Sequence, residues 1–585
     1  MTLRTPFLTA WLIMATSAWW SGATFGQDFE RYRPLPIEPP STVPSIPGVP
    51  IGPAVGSDEE LVGRLDAVIV VDRPDQVDAT NAFAGEEGLS ARVFAADSLV
   101  HSPAFSAIVS RYLGGPITLR RLNAMAREII LLYRRTGQPV VDVIIPEQNI
   151  TGGTVQIVVV ESRVGRVIIR GGCWSNLERL QEKVRCTQSG QRLYEPYLRH
   201  DLLRLNDYPF RRVEVDLEPG AYDGTTDVIF EVNDVFPARA YMGYEDTGVP
   251  NLLLERVFVG ATVGDVLGLD SLLSYQGTTD TEFHHLNAHS VFYQIPTDEF
   301  WSFEAYGSWV GVDPIVAAGF DHSGESWQSG FALRRQLTYN VRERSSLSFG
   351  FDFKSTNTNV EFGGIQVFDS AAELVTLRLG YQLQRRYAED EYLQVRNDLV
   401  VGPGPQFSPG NTTEAFSTVR PNTSPSFVYD RLVVERAWNL PRYWQFVGRG
   451  TGQVTSNRLL YSEMLGYGGF DSIRGYHQRT LNGDMGWLLN LELGPRPYHF
   501  GTARRPQQLR GYVFVDMGDA YTMHPQPGEE QQKFLASTGV GMRYTMTNRI
   551  SLRLDYGCNL TETPNQPLSR QEIHLGVVTL FGPQP

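Results

Sequence analysis

From residue 237 onward the chain alternates apolar and polar positions over strand-length segments, and helical periodicity disappears. Val375, Leu377, Leu379, Tyr381 and Leu383 share one side of such a segment, with Thr376, Arg378 and Gln382 on the other. Near the C-terminus Leu552, Leu554 and Tyr556 oppose Ser551, Arg553 and Asp555 in the same way. About sixteen segments follow this rule, beginning near residues 239, 254, 269, 284, 300, 326, 346, 374, 392, 427, 443, 485, 508, 534, 550 and 572. One apolar and one charged face per strand suit a sheet closed into a cylinder, with lipid outside and water within. A soluble sandwich or propeller would leave the charged inner faces unexplained. The connections agree: 265–268, 296–299, 340–343 and 545–548 are tight, whereas 313–323, 356–370 and 403–425 are long. Short turns at one rim and long loops at the other are the asymmetry of a membrane barrel. The last strand (Ile573, Leu575, Val577, Thr579, Phe581) ends on an aromatic before a Gly-Pro-Gln-Pro tail.

Upstream the pattern is mixed. Over 90–161 the order is strand (91–95), helix (103–112), helix, strand (140–145), strand (155–160). The second helix starts at a Thr118 cap, ends at Gly137, and puts Leu122, Met125, Ile129, Leu132 and Tyr133 on one face. The same βααββ order returns over 162–233, an internal repeat of about 70 residues. An apolar run at 65–71 lies in a stretch, 61–89, that reads as a short extension ahead of the first unit. Before it, eight prolines between Arg31 and Ala54 mark 27–60 as an extended linker, since each fixes φ and removes a donor. Residues 1–26 read as a secretion signal: Arg4, an apolar core from Phe7 to Trp20, then small residues around Ser21-Gly22-Ala23, with a cut after Gly26 as the alternative. No later stretch has the ~20 continuous apolar residues a spanning helix needs, so membrane residence rests on strands. The expected fold is two exported α+β domains, 90–161 and 162–233, followed by a transmembrane antiparallel barrel over 237–585.

Charge and chemistry narrow the class further. The 585 residues carry a net charge of -14, which argues against nucleic acid as a partner. Cys173 and Cys186 lie close together in an exported domain, a spacing that suits either an oxidised pair or two separate thiols; Cys558 has no evident partner. His284 and His285 are adjacent in a strand and no Cys/His set has zinc-ligand spacing, so neither a metal nor a cofactor is expected. No Ser-His-Asp or Cys-His arrangement points to an enzyme. The distinctive stretch is Gly466-Tyr-Gly-Gly-Phe-Asp-Ser-Ile-Arg-Gly-Tyr476, a glycine-rich loop with an Arg-Gly-aromatic tip that lacks the Lys-Ser/Thr of a nucleotide site. Tyr512-Val-Phe-Val-Asp-Met-Gly518 follows as a strand with one carboxylate. If Val513, Val515 and Met517 meet lipid, Asp516 faces the bore.

Together these features resemble the TpsB translocators of two-partner secretion, outer-membrane barrels preceded by periplasmic POTRA domains. Pro146-Glu-Gln-Asn-Ile-Thr-Gly-Gly153 with Val155-Gln-Ile-Val resembles the end of the family's first POTRA. Leu202-Leu-Arg-Leu-Asn-Asp-Tyr-Pro209 and Gly224-Thr-Thr-Asp227 resemble the second. Ser472-Ile-Arg-Gly-Tyr476 is similar to the signature of the sixth extracellular loop, and Phe514-Val-Asp-Met-Gly518 to its partner strand. The resemblance implies that residues 465–484 fold into the bore as a lid carrying Gly468, Gly469, Phe470, Ile473, Arg474, Gly475 and Tyr476. Arg474 would meet a wall carboxylate, Asp516, flanked by Phe514 and Gly518. It also implies an unfolded secreted partner recognised by the POTRA domains, outer-membrane lipid around the barrel, and assembly machinery for the barrel's own insertion. An insertase for other barrels and a passive porin are the rivals; two POTRA units and the Pro146-Glu-Gln motif favour secretion. Some family members hold an N-terminal helix in the barrel as a plug. The proline run argues against one before Ala54, so either the plug is absent or the extended linker occupies the bore.

Overall fold

A computed structural model describes residues 32–36, 46, 52–78, 85–315, 323–357, 371–388, 390–502, 505–547, 549–563 and 566–583. The expected signal peptide and most of the proline-rich linker lie outside them. The chain falls into two compact units, one spanning 43–235 and the other holding 236–584 together with the residues before 43.

The first unit holds two domains. In the first, strands β1 (Ala67–Val71), β2 (Gly88–Ala91), β3 (Val141–Ile144) and β4 (Thr154–Glu161) form a sheet in the order β2-β1-β4-β3. Helices α1 (Pro103–Ser110) and α2 (Leu119–Arg135) cover it. The Thr118 side chain accepts from the Arg121 amide to start α2, whose buried stripe is Leu122, Met125, Ala126, Ile129 and Tyr133. Two expectations need correcting. The stretch 61–89 is no extension: its strand β1 is central, parallel to both neighbours, with all five residues buried. The run expected at 91–95 is instead the edge strand Gly88–Ala91. A strand buried on both faces shows no alternation, so Ala-Val-Ile-Val-Val carried none of the signal that marks a one-sided strand. The second domain runs β5 (Arg163–Gly171), α3 (Leu177–Lys183), α4 (Glu195–Leu205), β6 (Arg211–Pro219) and β7 (Thr225–Asp234), sheet order β5-β7-β6. With β1 aligned on β5 the two domains repeat one plan, and β2 is the addition.

The second unit is a closed barrel of sixteen antiparallel strands among the described residues. In chain order they are β8 (Ala238–Glu245), β9 (Arg256–Gly264), β10 (Leu272–Asp280), β11 (Leu286–Pro296), β12 (Trp301–Val312), β13 (Gly324–Tyr339), β14 (Glu343–Thr356) and β15 (Ala372–Ala388). Then come β16 (Glu391–Pro403), β17 (Ser426–Asn439), β18 (Trp444–Thr455), β19 (Met485–Pro495), β20 (Arg505–Tyr521), β21 (Gln532–Met546), β22 (Ile550–Asn559) and β23 (Gln571–Phe581). A short piece, Tyr498–Thr502, continues β19 along β20 beyond the break at Pro495 and Pro497, which lack the amides a ladder needs. β23 pairs with β8 over Ala240–Glu245 and closes the cylinder.

Alternation decides which side is which. Val259, Val291, Trp309, Phe349, Val513 and Val540 stand exposed on the outside, while Gln276, Asp352, Arg431, Glu492, Asp516 and Asp555 are buried within. In water that outer belt would cost about 25 cal/mol per Å² of apolar surface, so it belongs in a bilayer. Residues 32–36 lie inside the barrel. Tyr32 is buried among Val249, Leu252, Leu286, Ala288, Val310 and Val312, Arg33 sits 4.7 Å over the Phe292 ring, and the Leu35 amide donates to Tyr241 Oη at 2.9 Å.

Candidate functional site: the inward-folded hairpin

Residues 456–484 join β18 to β19 and turn back into the bore. Leu465–Tyr467 and Leu481–Gly483 pair as a short stem, and above it the Gly469 amide donates to the Tyr476 carbonyl at 3.0 Å. Ile473, Tyr467 and Tyr476 are fully buried and pack with Leu488, Ala520 and Leu535 of the wall. The Tyr476 hydroxyl donates to the Thr561 carbonyl at 2.6 Å and lies 3.0 Å from the Ala536 carbonyl. Gly518 lies beside Tyr467, Gly468 accepts from the Ser472 hydroxyl at 2.8 Å, and Phe470 lies 3.4 Å beneath the Arg553 guanidinium. These contacts fix the tip before any charge is counted.

At the tip Arg474 is 2% exposed and forks onto Asp516, Nε to Oδ2 and Nη2 to Oδ1, both at 2.8 Å. The Arg474 amide adds a third bond to Oδ2 at 3.0 Å, and Phe514 presents its ring 3.7 Å below the guanidinium. A planar fork on a carboxylate fixes orientation as well as distance, which lysine would not do. The pair expected from the sequence is thus brought together, but it is not alone. Nη1 donates to Glu492 Oε1 at 2.8 Å and to Asp555 Oδ1 at 3.2 Å. Those two carboxylates also take Arg510 (2.9 Å) and Arg543 (2.9 Å), and Tyr512 donates to Asp555 at 2.7 Å. Three guanidinium groups and three carboxylates therefore share one buried cage on β19, β20, β21 and β22. Charge balance is what makes such burial tolerable.

Sequence reading missed Glu492, Asp555, Arg510 and Arg543. Each sits at an inward position of an alternating strand, so its side of the wall was legible. Which of many inward charges meet depends on register between strands, and that is absent from any one segment. It also missed the backbone seat of the tip: Gly475 lies against Gly557 of β22, and its amide donates to His574 Nε2 at 3.3 Å.

In the first unit the cysteine pairing set out as one of two readings is not formed. The Cys173 amide is held by Asp234 at 2.8 Å beside the end of β5, whereas the Cys186 amide is held by Asp201 of α4 at 3.1 Å, so the two sulfurs are not joined and their segments are anchored on different elements. Folding does bring Cys186, His200 and Asp201 together, a trio that spacing did not suggest. Both Asp201 oxygens, however, already accept backbone amides, from Arg185 and Cys186 on one and from Cys186 and Thr187 on the other. Asp201 acts as a staple for that loop. Burial works to raise its carboxyl, but hydrogen bonds from His200 and from the Cys186 and Thr187 amides outweigh it and hold the carboxyl below its ordinary value. Its stabilising contribution is therefore present above the unfolded carboxylate value of about 3.9, and disappears as pH falls through the lower folded value. Asp201→Asn should cost about 1–3 kcal/mol at neutral pH by leaving amides unsatisfied. Hydrogen exchange of the full chain should show lost protection at residues 185–187, and unchanged exchange there would refute the staple.

A family model described as haemolysin secretion/activation protein ShlB/FhaC/HecB matches residues 224–544, more than half of the chain, and a model of the ShlB-type POTRA domain matches residues 92–162. The heme/hemopexin transporter protein HuxB of Haemophilus influenzae (strain 86-028NP) is 27% identical over 189 residues, 31% of this chain and 32% of that protein. The chain thus spans about a third of the length of that relative. The outer membrane transporter CdiB of Escherichia coli O6:K15:H31 (strain 536 / UPEC) is 20% identical over 439 residues, 71% of each chain. Among solved structures, CdiB from Escherichia coli superposes with a TM-score of 0.59 at 15% identity, covering 91% of this chain and 93% of that one. At such identity the likeness speaks for the fold.

Proposed function

The chain belongs to the family of haemolysin secretion/activation proteins ShlB/FhaC/HecB, outer-membrane barrels with POTRA domains in the periplasm, and from that premise we propose that it exports a partner protein to the cell surface. In this reading the hairpin 465–484 is the lid of the conduit. The observation that carries it is the burial of Arg474 in the cage of Asp516, Glu492 and Asp555, which holds the hairpin inside the bore rather than in external solvent. A pore with no lid would need none of this chemistry.

The POTRA domains receive the partner while it is still unfolded. Their sheets end in edge strands, β2 and β3 in the first domain and β5 and β6 in the second. Such edges offer main-chain hydrogen bonds to an extended chain with little demand on its sequence. Folding of the partner outside supplies the driving force, and no nucleotide enters. The barrel itself is inserted by the cell's assembly machinery and held by lipid.

The test compares surface and culture-medium proteins, by mass spectrometry, between cells with and without this chain. Loss of one large exported protein, with other outer-membrane barrels at normal abundance, is the expected result. Depletion of many barrels at once would make the chain an insertase, and an unchanged exoproteome would sink the proposal.

A further inference from the structure

The loop 456–484 carries two buried carboxylates that the tip does not use, one just before the stem strands and one just after them. On the incoming side Glu463 is fully buried and ion-paired to Lys354 of β14, itself 2% exposed. Tyr429 of β17 donates to Glu463 Oε2 at 2.7 Å, and the Glu463 carbonyl accepts from Arg431 at 3.0 Å and Gln453 at 3.2 Å. On the outgoing side Asp484 takes both terminal nitrogens of Arg420, at 2.6 and 3.1 Å, and the amides of Leu459 and Met523 at 2.8 and 2.9 Å. Arg420 directly follows a short helix, α5 (Thr413–Val419), in the neighbouring long loop. Phe416 and Val419 of that helix pack in one apolar cluster with Leu459, Leu460 and Met464 of the hairpin root. These groups stand on other parts of the barrel than the Arg474 cage: Lys354 and Tyr429 belong to β14 and β17, whereas the cage stands on β19 to β22.

We propose that Lys354 and Arg420 are positioning residues that clamp the root of the lid independently of its tip, so that opening takes two separate ruptures. This rests on the reading of the hairpin as a lid. The logic is one of solvation. A carboxylate paired in the bore is tolerated there, but one left alone is driven toward water. Removing Lys354 leaves the buried Glu463 carboxylate with hydroxyl donors from Tyr429 and Ser462 but without its paired cation, and the stem relieves that charge by withdrawing toward water. Asp484 keeps two backbone amides, from Leu459 and Met523, when Arg420 is removed, and fixed main-chain donors hold a carboxylate better than the two hydroxyls left to Glu463.

Planar-bilayer recording of the full-length protein in KCl tests this, with the heat-dependent gel shift of the folded barrel as the check on folding. Lys354→Met should raise the open probability by about tenfold or more, as expected for one stranded buried charge. Lys354→Met combined with Glu463→Gln should close the channel again, a reversal that a merely structural lysine would not show. Arg420→Met, which lies outside the barrel strands, should open it to a smaller extent. Combined with Arg474→Ala, the Lys354→Met effect should multiply, because separated sites add in free energy. Wild-type gating of Lys354→Met and Arg420→Met would overturn the clamp, as would a double variant that stays open or a root effect that vanishes when Arg474 is gone. Opening by Arg474→Ala in any of those cases would leave the lid reading standing; gating unchanged in every variant would remove both.

Discussion

Arg474→Ala is expected to abolish export and to leave the barrel folded but leaking. The substitution does more than delete one ion pair, because Asp516, Glu492 and Asp555 all lose the same cation while Arg510 and Arg543 can neutralise only two of them. Asp516 suffers most: it is fully buried, and the charged partner it forked with is gone. Breaking a buried pair from one side costs roughly 3–5 kcal/mol, or about two to three and a half decades in the equilibrium between seated and withdrawn tip. Arg474→Lys should recover little, since an ammonium has no fork to match Asp516 and reach Glu492 together. The informative comparison is the cycle with Asp516→Ala. If the two residues act as one unit, the double variant loses no more than the worse single one. Export measured by immunoblot of the medium and conductance in bilayers are the two readouts. Losses that simply add would mean the residues are uncoupled, and retained export by Arg474→Ala would mean the tip carries no function.

How far the sequence could be read follows from what each signal encodes. The sixteen strand starts fell within three residues of the observed ones, because lipid outside and water inside impose a two-residue rhythm that a chain cannot hide. The same rhythm sets Phe514 and Asp516 on one face and Val513 and Val515 on the other, and in the structure the first two are buried within and the valines exposed on the outer face. Where both faces are dry the rhythm vanishes, so 61–89 reads in the sequence as an extension although its strand β1 is the middle of a sheet. Contacts across the barrel were out of reach for another reason. Lys354 and Glu463 are 109 residues apart, and only closure of the cylinder and inward folding of the hairpin bring them together. Cys173 and Cys186, close in sequence, show the converse: proximity along the chain says nothing about which carboxylate anchors each segment. The fold was written in local pattern, whereas the cage and the root clamp are properties of register.

Gly557→Ala should also unseat the tip, by less than loss of Arg474, although it removes no charge. A methyl group at Gly557 would lie 2.6 Å from the Gly475 nitrogen, 2.8 Å from its Cα and 2.9 Å from the Arg474 carbonyl carbon. All three are main-chain atoms, so no side chain can swing aside. Gly475 in turn holds φ of +90°, and a Cβ there would come within 3.1 Å of Gly557 and Cys558. Backbone thus rests on backbone, and the guanidinium fork is aligned on Asp516 only while that contact persists. Forcing a methyl into such a contact costs about 1–3 kcal/mol in a packed site. The barrel can avoid that cost by letting the hairpin lift, since Gly557 faces the bore and alanine is otherwise acceptable in a strand. Gly452→Ala in β18 is the matched control, because an added Cβ there meets nothing within 4 Å. Trypsin cleavage after Arg474 in the assembled protein should rise sharply in Gly557→Ala and stay at the wild-type rate in Gly452→Ala. Equal resistance in the two variants would mean that the tip does not rest on β22 in the membrane, and the distances that place Arg474 among three carboxylates would lose their meaning.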